Sequence, residues 1–181
     1  MNIWENAVIT AQGHALLAKL IEGHTLDITR AVTGSGYVTP GLLKDQTAVF
    51  DPRQELTFSG ISYPEEGKCA LSCYLSNDEV TVGYTAMQVG IYATDPDDGE
   101  ILFFIAQAAS DTGTKVPSAT EMPGYTAEWT FYFQYGQADS VSVTVDPANS
   151  VTQQRMETYI AGEILSATVE DIDAAYAQAN A

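Results

Sequence analysis

The residues with the clearest chemical potential lie in QVGIYATDPDDGEILFFIAQA, Gln88 to Ala108. There Asp95, Asp97, Asp98 and Glu100 fall within six positions between two apolar runs. Grouped carboxylates can hold a metal, move protons or turn the chain in water. A calcium loop needs acids at alternate positions, Gly at the sixth and a bidentate Glu at the twelfth. Counted from Asp95, Gly99 is fifth and the twelfth residue is Ala106. TDPDDGE has turn chemistry instead: Pro sets φ, Asp bonds the local backbone, and Gly supplies a positive φ. The spacing predicts a solvated hairpin.

The other reactive side chains are scattered. His14 and His24 are ten residues apart, without the i, i+4 spacing of helical ligands, and neither has a Cys or paired acid beside it. They read as surface or capping histidines. GSG at 34–36 lacks the Gly-Lys-Ser/Thr ending of a phosphate loop and the full G-x-G-x-x-G, so it reads as a turn. No G-x-S-x-G stretch presents an activated serine. Cys69 and Cys73, in KCALSCYLS, share one face if the segment is a strand, about 13 Å apart along it. A disulfide needs Cα atoms within about 7 Å, so buried free thiols are expected. The aromatic set Tyr125, Trp129, Phe131, Tyr132, Phe133 and Tyr135 has the composition of a sugar-stacking surface. Its alternation puts Trp129, Phe131, Phe133 and Tyr135 on a core face and leaves Tyr132 and Tyr125 outward.

The elements that must position these residues are bounded by composition. A chain of 181 residues fits one domain or one domain with an appendage, and 45% hydrophobic residues make it globular. A compact domain of this length buries roughly 70% of its unfolded surface, enough for a core without staples. Twenty-four acidic against seven basic residues give a net charge of −17. Such a surface repels phosphate backbones and anionic headgroups, which argues against nucleic acid and membrane as partners. No apolar run reaches the about 18 residues of a bilayer span. MNIWENAVITAQG lacks the basic region and apolar core of a secretion signal, so synthesis in a cytoplasm is expected.

TAQGHALLAKLIE, residues 10–22, reads as a helix capped by Thr10, with Leu16, Leu17, Leu20 and Ile21 as its apolar stripe and Gly23 at its end. LDITRAVTGSGYVTPG is a short strand running into a Gly/Pro loop, and residues 42–50 show no clear period. From residue 56 the period is two: ELTFSGISY, CALSCYLS, TAMQVGIYA, AEWTFYFQY and VSVTVD read as strands, and EILFFIAQA as a continuous apolar one. Beyond them, Ser150 and Gln153 form a capping box before a helix to about Leu165, and Thr168 and Asp171 open a second, shorter one. Val151, Met156, Tyr159, Ile160 and Ile164 share a face of the first; Val169, Ile172, Ala175, Tyr176 and Ala179 share a face of the second. The predicted fold is α+β: an antiparallel, sandwich-like β domain over 1–147 with an N-terminal helix, then a helical segment over 148–181.

The order of segments carries a resemblance. AVITAQGHALLAKLIEGHTLDITRAVTGSG resembles the start of the N-terminal domain of phage tail-fibre proteins, the tail-collar-fibre family, with its Thr-x-x-Gly helix start, apolar helix, strand and Gly-rich turn. QVGIYATDPDDGEILFFIAQ resembles that family's Gly-Leu-Tyr, acidic turn and apolar strand, and AEWTFYFQYGQADSVSVTVDP its paired strands closing in Asp-Pro. The match covers roughly residues 7 to 147. ATVEDIDAAY resembles a segment of such proteins from Gram-positive phages and prophages. The resemblance implies a non-enzymatic virion protein of the tail, made in the bacterial cytoplasm, without a cofactor. It implies baseplate or tail proteins as partners, with a separate fibre protein as a further one, and a homotrimeric assembly. In the family the domain is commonly the attachment end of a longer fibre. With no shaft or tip before Ala181, attachment is expected here rather than receptor recognition. The residues expected at partner contacts are Tyr132, Tyr159, Ile160, Ile172 and Tyr176. The rival expectation is a receptor- or carbohydrate-binding β-domain using outward tyrosines and acidic loops.

Overall fold

The computed structural model describes residues 3–20, 24–135 and 140–145. The chain divides into Met1–Asn149 and Ser150–Ala181, and everything described belongs to the first unit. The two C-terminal helices expected from the sequence lie outside the described residues, as do Ile21 to Gly23. The first helix, expected over residues 10–22, ends earlier, at Lys19, because Leu20 is extended and caps it by donating its amide to the Leu16 carbonyl.

The fold is mostly antiparallel β, with 56% strand and 11% helix, which bears out the β-rich expectation. The elements are β1 (Trp4–Ile9), α1 (Ala11–Lys19), β2 (Thr25–Gly34), a 3-10 helix (Pro40–Asp45), β3 (Pro52–Glu65), β4 (Lys68–Ser76), β5 (Tyr84–Ala86), β6 (Gln88–Asp95), β7 (Gly99–Ala108), β8 (Thr114–Val116), β9 (Thr126–Gln134) and β10 (Ser140–Val143). Seven strands form one path, β1-β7-β6-β2-β3-β4-β9, and β10 joins the same sheet off that path, parallel to β2; β5 and β8 form a separate pair.

The path bends at β3. Residues 52–56 pair with β2, whereas 57–65 pair with β4. β10 pairs with Thr25 to Ile28, the part of β2 that β3 does not cover. A strand that passes from one sheet to the other makes a sandwich corner. The bend brings the two layers face to face, and aromatic rings fill the space between them. Trp4 meets Trp129 at 5.3 Å and 87°, Phe103 meets Phe133 at 5.4 Å, and Phe104 meets Phe131 at 6.0 Å. The first two are edge-to-face and the third is tilted; aromatic pairs of this kind add about 0.5–1.5 kcal/mol each beyond the area they bury.

β7 supplies both phenylalanines from adjacent positions because it carries a bulge: Ile91 pairs with Phe104 and Tyr92 with Leu102, leaving Phe103 as the extra residue. The Phe103 carbonyl accepts the Thr10 amide (3.0 Å), which ties the start of α1 to the bulge. Thr10 caps the helix as expected, accepting from the Gly13 amide (3.0 Å), and its hydroxyl donates to the Leu102 carbonyl. Gly13 is glycine for want of space: a Cβ there would stand 2.2 Å from the Phe103 carbonyl oxygen. The Thr-x-x-Gly helix start is therefore a docking device, and it places Leu16 and Leu20 in the core between the sheets.

The segment without a clear period, 42–50, belongs to a loop that covers the opposite face of the β2-β6-β7 layer. Leu43 and Val49 pack there on Val32, Tyr92, Leu102 and Ile105 as a second core. Gly90 makes room for it, since a Cβ would stand 2.6 Å from Val49. A layer buried on both faces loses polar alternation, which explains the continuous apolar run of β7.

Candidate functional site: an acid-caged lysine and an open seam

The acidic hairpin is a three-residue turn, Pro96 to Asp98, closed by the Asp95 and Gly99 pair, with Gly99 at φ 76°. Asp97 and Asp98 have side chains 72% exposed, as a solvated turn requires, but the Asp95 side chain is 2% exposed. One carboxylate oxygen of Asp95 accepts the amides of Asp97 (2.8 Å) and Asp98 (3.2 Å). Both oxygens take bonds from the Lys19 ammonium, at 2.7 and 2.9 Å. Asp97 (3.0 Å) and Asp98 (3.5 Å) complete the cage around Lys19. The lysine bonds hold the Asp95 carboxyl below the usual carboxylate range, with the two turn amides acting in the same direction. Asp95, chiefly, raises the Lys19 ammonium above its ordinary value. The last turn of α1 is thus clamped to the β6–β7 hairpin, a role the sequence reading did not assign.

Glu100 is the fourth acid. It accepts from Arg30 Nε (2.9 Å) and the Thr29 hydroxyl (2.7 Å), and Arg30 holds its carboxyl below the ordinary value. The Arg30 guanidinium also lies over the Tyr92 ring, 4.3 Å from its centre. Each acid of the opening motif therefore has a cation as partner or lies in solvent. Among the described residues no three His, Cys, Asp or Glu side chains are grouped to hold a metal ion.

The remaining sequence candidates stay apart. His14 and His24 are exposed on α1 and at the start of the next segment. The GSG amides are used internally, Ser35 and Gly36 donating to the carbonyls of Asp51 (2.9 Å) and Phe50 (3.0 Å). Cys69 and Cys73 are buried free thiols on β4, opposite Phe133 and Trp129, and burial pushes the Cys69 thiol up to about 11. Thiols held so far from ionisation are poor nucleophiles. Among the described residues no helix is long and apolar enough to cross a membrane.

The sequence reading missed a buried amide network. Gln88 and Gln107, paired across β6 and β7, join through Nε2 of Gln88 and Oε1 of Gln107 (2.7 Å). Gln88 also takes the Phe50 amide (2.8 Å) and donates to Gln46 (3.0 Å), while Gln107 bonds both the amide (3.0 Å) and carbonyl (2.8 Å) of Val38. The network satisfies the backbone of the covering loop at both ends. Its one sequence signal is a Gln in an apolar strand on each side of the hairpin.

An apolar groove opens at a seam between the first and last strands of the path. Among the described residues, β1 and β9 each pair on one side only, with β7 and β4. Their side chains meet at Trp4, Trp129 and Phe131, and farther along they splay into a groove of about 490 Å³. Ala7, Ile9, Phe104 and Phe133 form its apolar floor, with Pro64, Glu65 and Lys68 at one end. Tyr132 stands at its mouth, 66% exposed, on the outward face the alternation assigned to it. Tyr125 instead packs against the core, partly buried. The other expected contact residues, Tyr159, Ile160, Ile172 and Tyr176, lie outside the described residues.

Comparison with protein-family models, with curated proteins and with solved structures found no match.

Proposed function

We propose that this protein is a non-enzymatic structural component of a phage tail or phage-tail-like particle, a fibre-attachment or baseplate-adaptor protein working through protein–protein contacts. The observation that carries the reading is the order of the three tail-fibre-like stretches, together with the work each does in the fold. The Thr-x-x-Gly start docks α1 on the β7 bulge, the acidic turn clamps the other end of α1, and the paired aromatic strand supplies the facing half of the core. These motif residues hold the domain together, which leaves its outer surface for partners. In this reading the partners are baseplate or tail proteins and a separate fibre protein, the assembly is a homotrimer, and the protein resides in the virion tail.

The test is made in the strain that encodes the chain. Particles are induced, purified on a density gradient and probed with an antibody to the protein. The expected result is co-sedimentation with tails and labelling at the tail end, with fibreless or non-adsorbing particles after deletion of the gene. Protein found only outside the particle fraction would overturn the proposal.

One observation favours a second reading, a receptor- or carbohydrate-binding β-domain of the tail tip. Tyr132 is an exposed aromatic ring at the mouth of a groove, the arrangement used to stack on sugar. Saturable binding on a glycan array that Tyr132→Ala abolishes would select that reading over attachment.

A further inference from the structure

We infer that the seam between β1 and β9 is a docking site for an extended, positively charged segment of another protein, which adds as a strand to the edge of β9 that no described strand pairs. This goes beyond the tail-attachment reading, because it specifies a mode of binding that holds whatever particle the protein serves.

The first ground is the character of the edge. Exposed edges are normally blunted by bulges, prolines or lysines, because an unpaired row of amides and carbonyls is a template for another chain. β1 has such a device, a register shift between Trp4 and Asn6. β9 has none: its nine residues pair with β4 without a register shift, and TAEWTFYFQ contains no proline and no lysine. The second ground is shape. β1 and β9 touch through Trp4 and Trp129 and separate toward Ile9 and Gln134, so both run the same way along the groove. A strand antiparallel to β9 lies antiparallel to β1 as well, the better-bonded arrangement. Side chains at alternate positions of that strand face the apolar floor, while its backbone gives affinity through the ladder.

Charge selects the occupant. Glu5 on β1 and Glu65 and Glu66 at the β3–β4 hairpin are exposed, whereas Glu128 on β9 accepts from the Ser59 hydroxyl on β3, across β4. Lys68 is the one cation in these segments, and Glu65 pairs with it (2.7 Å). A second copy would bring the same carboxylates and a further net charge of −17 to the seam. A segment alternating basic and apolar residues meets both the acidic rim and the floor.

The experiment uses the full chain and a fluorescein-labelled peptide alternating lysine and valine over the length of β9. Fluorescence anisotropy should show saturable binding, and hydrogen exchange should slow at free-edge amides within 126–134. A peptide with glutamate for lysine, and one methylated at alternate backbone nitrogens, should each bind at least about tenfold more weakly. Tyr132→Lys, on a side chain 66% exposed, should keep its unfolding midpoint and lose affinity by a similar factor. Equal binding of the methylated peptide would reduce the effect to charge attraction and overturn strand addition. Absence of binding, or protection elsewhere, would overturn the site. A concentration-dependent dimer of the chain that protects β9 would make a second copy the occupant instead. None of these results alters where the protein sediments, so failure here and failure of the tail reading are separable.

Discussion

At the scale of single residues, chemistry that looks like a site resolves into one buried anchor and two solvated acids. Asp95 differs from Asp97 and Asp98 because its side chain is buried and its carboxylate both closes the turn and receives the Lys19 ammonium. Replacing Asp97 and Asp98 together by Asn should change stability by no more than about 0.5 kcal/mol, as for ordinary surface substitutions. Asp95→Asn should cost clearly more, because it leaves Lys19 without its closest partner; chemical denaturation of both variants makes the comparison. A larger loss in the double variant would place the anchor elsewhere in the turn. The acid dependence follows from the sign of the shift. The folded carboxyls of Asp95, Asp51 and Glu100 titrate below their ordinary values of 3.8, 3.8 and 4.5. Their contribution is complete above those values and is lost as pH falls through the lower folded ones. The denaturation midpoint should therefore fall steeply from about pH 4 downward, and less steeply in Asp95→Asn. An equal slope in the two proteins would mean Asp95 carries none of that linkage.

At the scale of elements, what could be read from the sequence depended on how many faces each strand buries. β9 shows water on one face and core on the other, so its alternation was legible, as were the Thr10 cap and the β6–β7 turn. β1 was not, because WENAVI is partly covered on both sides and its residues follow no period of two. The covering loop escaped for the same reason: it packs with isolated side chains, Leu43 and Val49, instead of a repeating face. The seam joins residues 4–9 to 126–134, a juxtaposition only the tertiary fold makes. The alternation of β9 has a direct test. Phe131 is 3% exposed and Phe131→Ala should cost about 3–5 kcal/mol. Tyr132→Ala, one position along on the open face, should cost within about 0.5 kcal/mol. Reversed magnitudes would require the strand to be shifted by one residue, which turns every side chain over. The loop is tested through its amides. Gln107→Leu keeps volume but removes both bonds to Val38, so exchange at residues 37–50 should speed up while β4 and β9 keep their protection. Uniform loss of protection would make the network part of the global core instead of a local clasp.

At the scale of the whole molecule, the proposed trimer requires a surface through which copies meet. A chain carrying −17 repels its own copies, so a contact between them needs apolar surface that the β domain does not spend on its own core. The sequence of residues 150–181 supplies it. Tyr159 and Ile160 in one periodic stretch, and Ile172 and Tyr176 in the next, fall on apolar faces of segments too short to be stable helices alone in water. Such stripes require a surface to pack on, either their own β domain or equivalent stripes of other copies. The tail-attachment proposal selects the second, with three copies meeting through this segment. Deleting 150–181 removes no described element, because every described strand and every described aromatic of the core lies before residue 146. The truncated chain should therefore keep its strand circular dichroism and a cooperative unfolding transition, while light scattering changes from three chains to one. Trimers that survive truncation would move the contact into the β domain and remove the role given to these four side chains. A truncated chain that unfolds would show instead that the stripes close over their own domain.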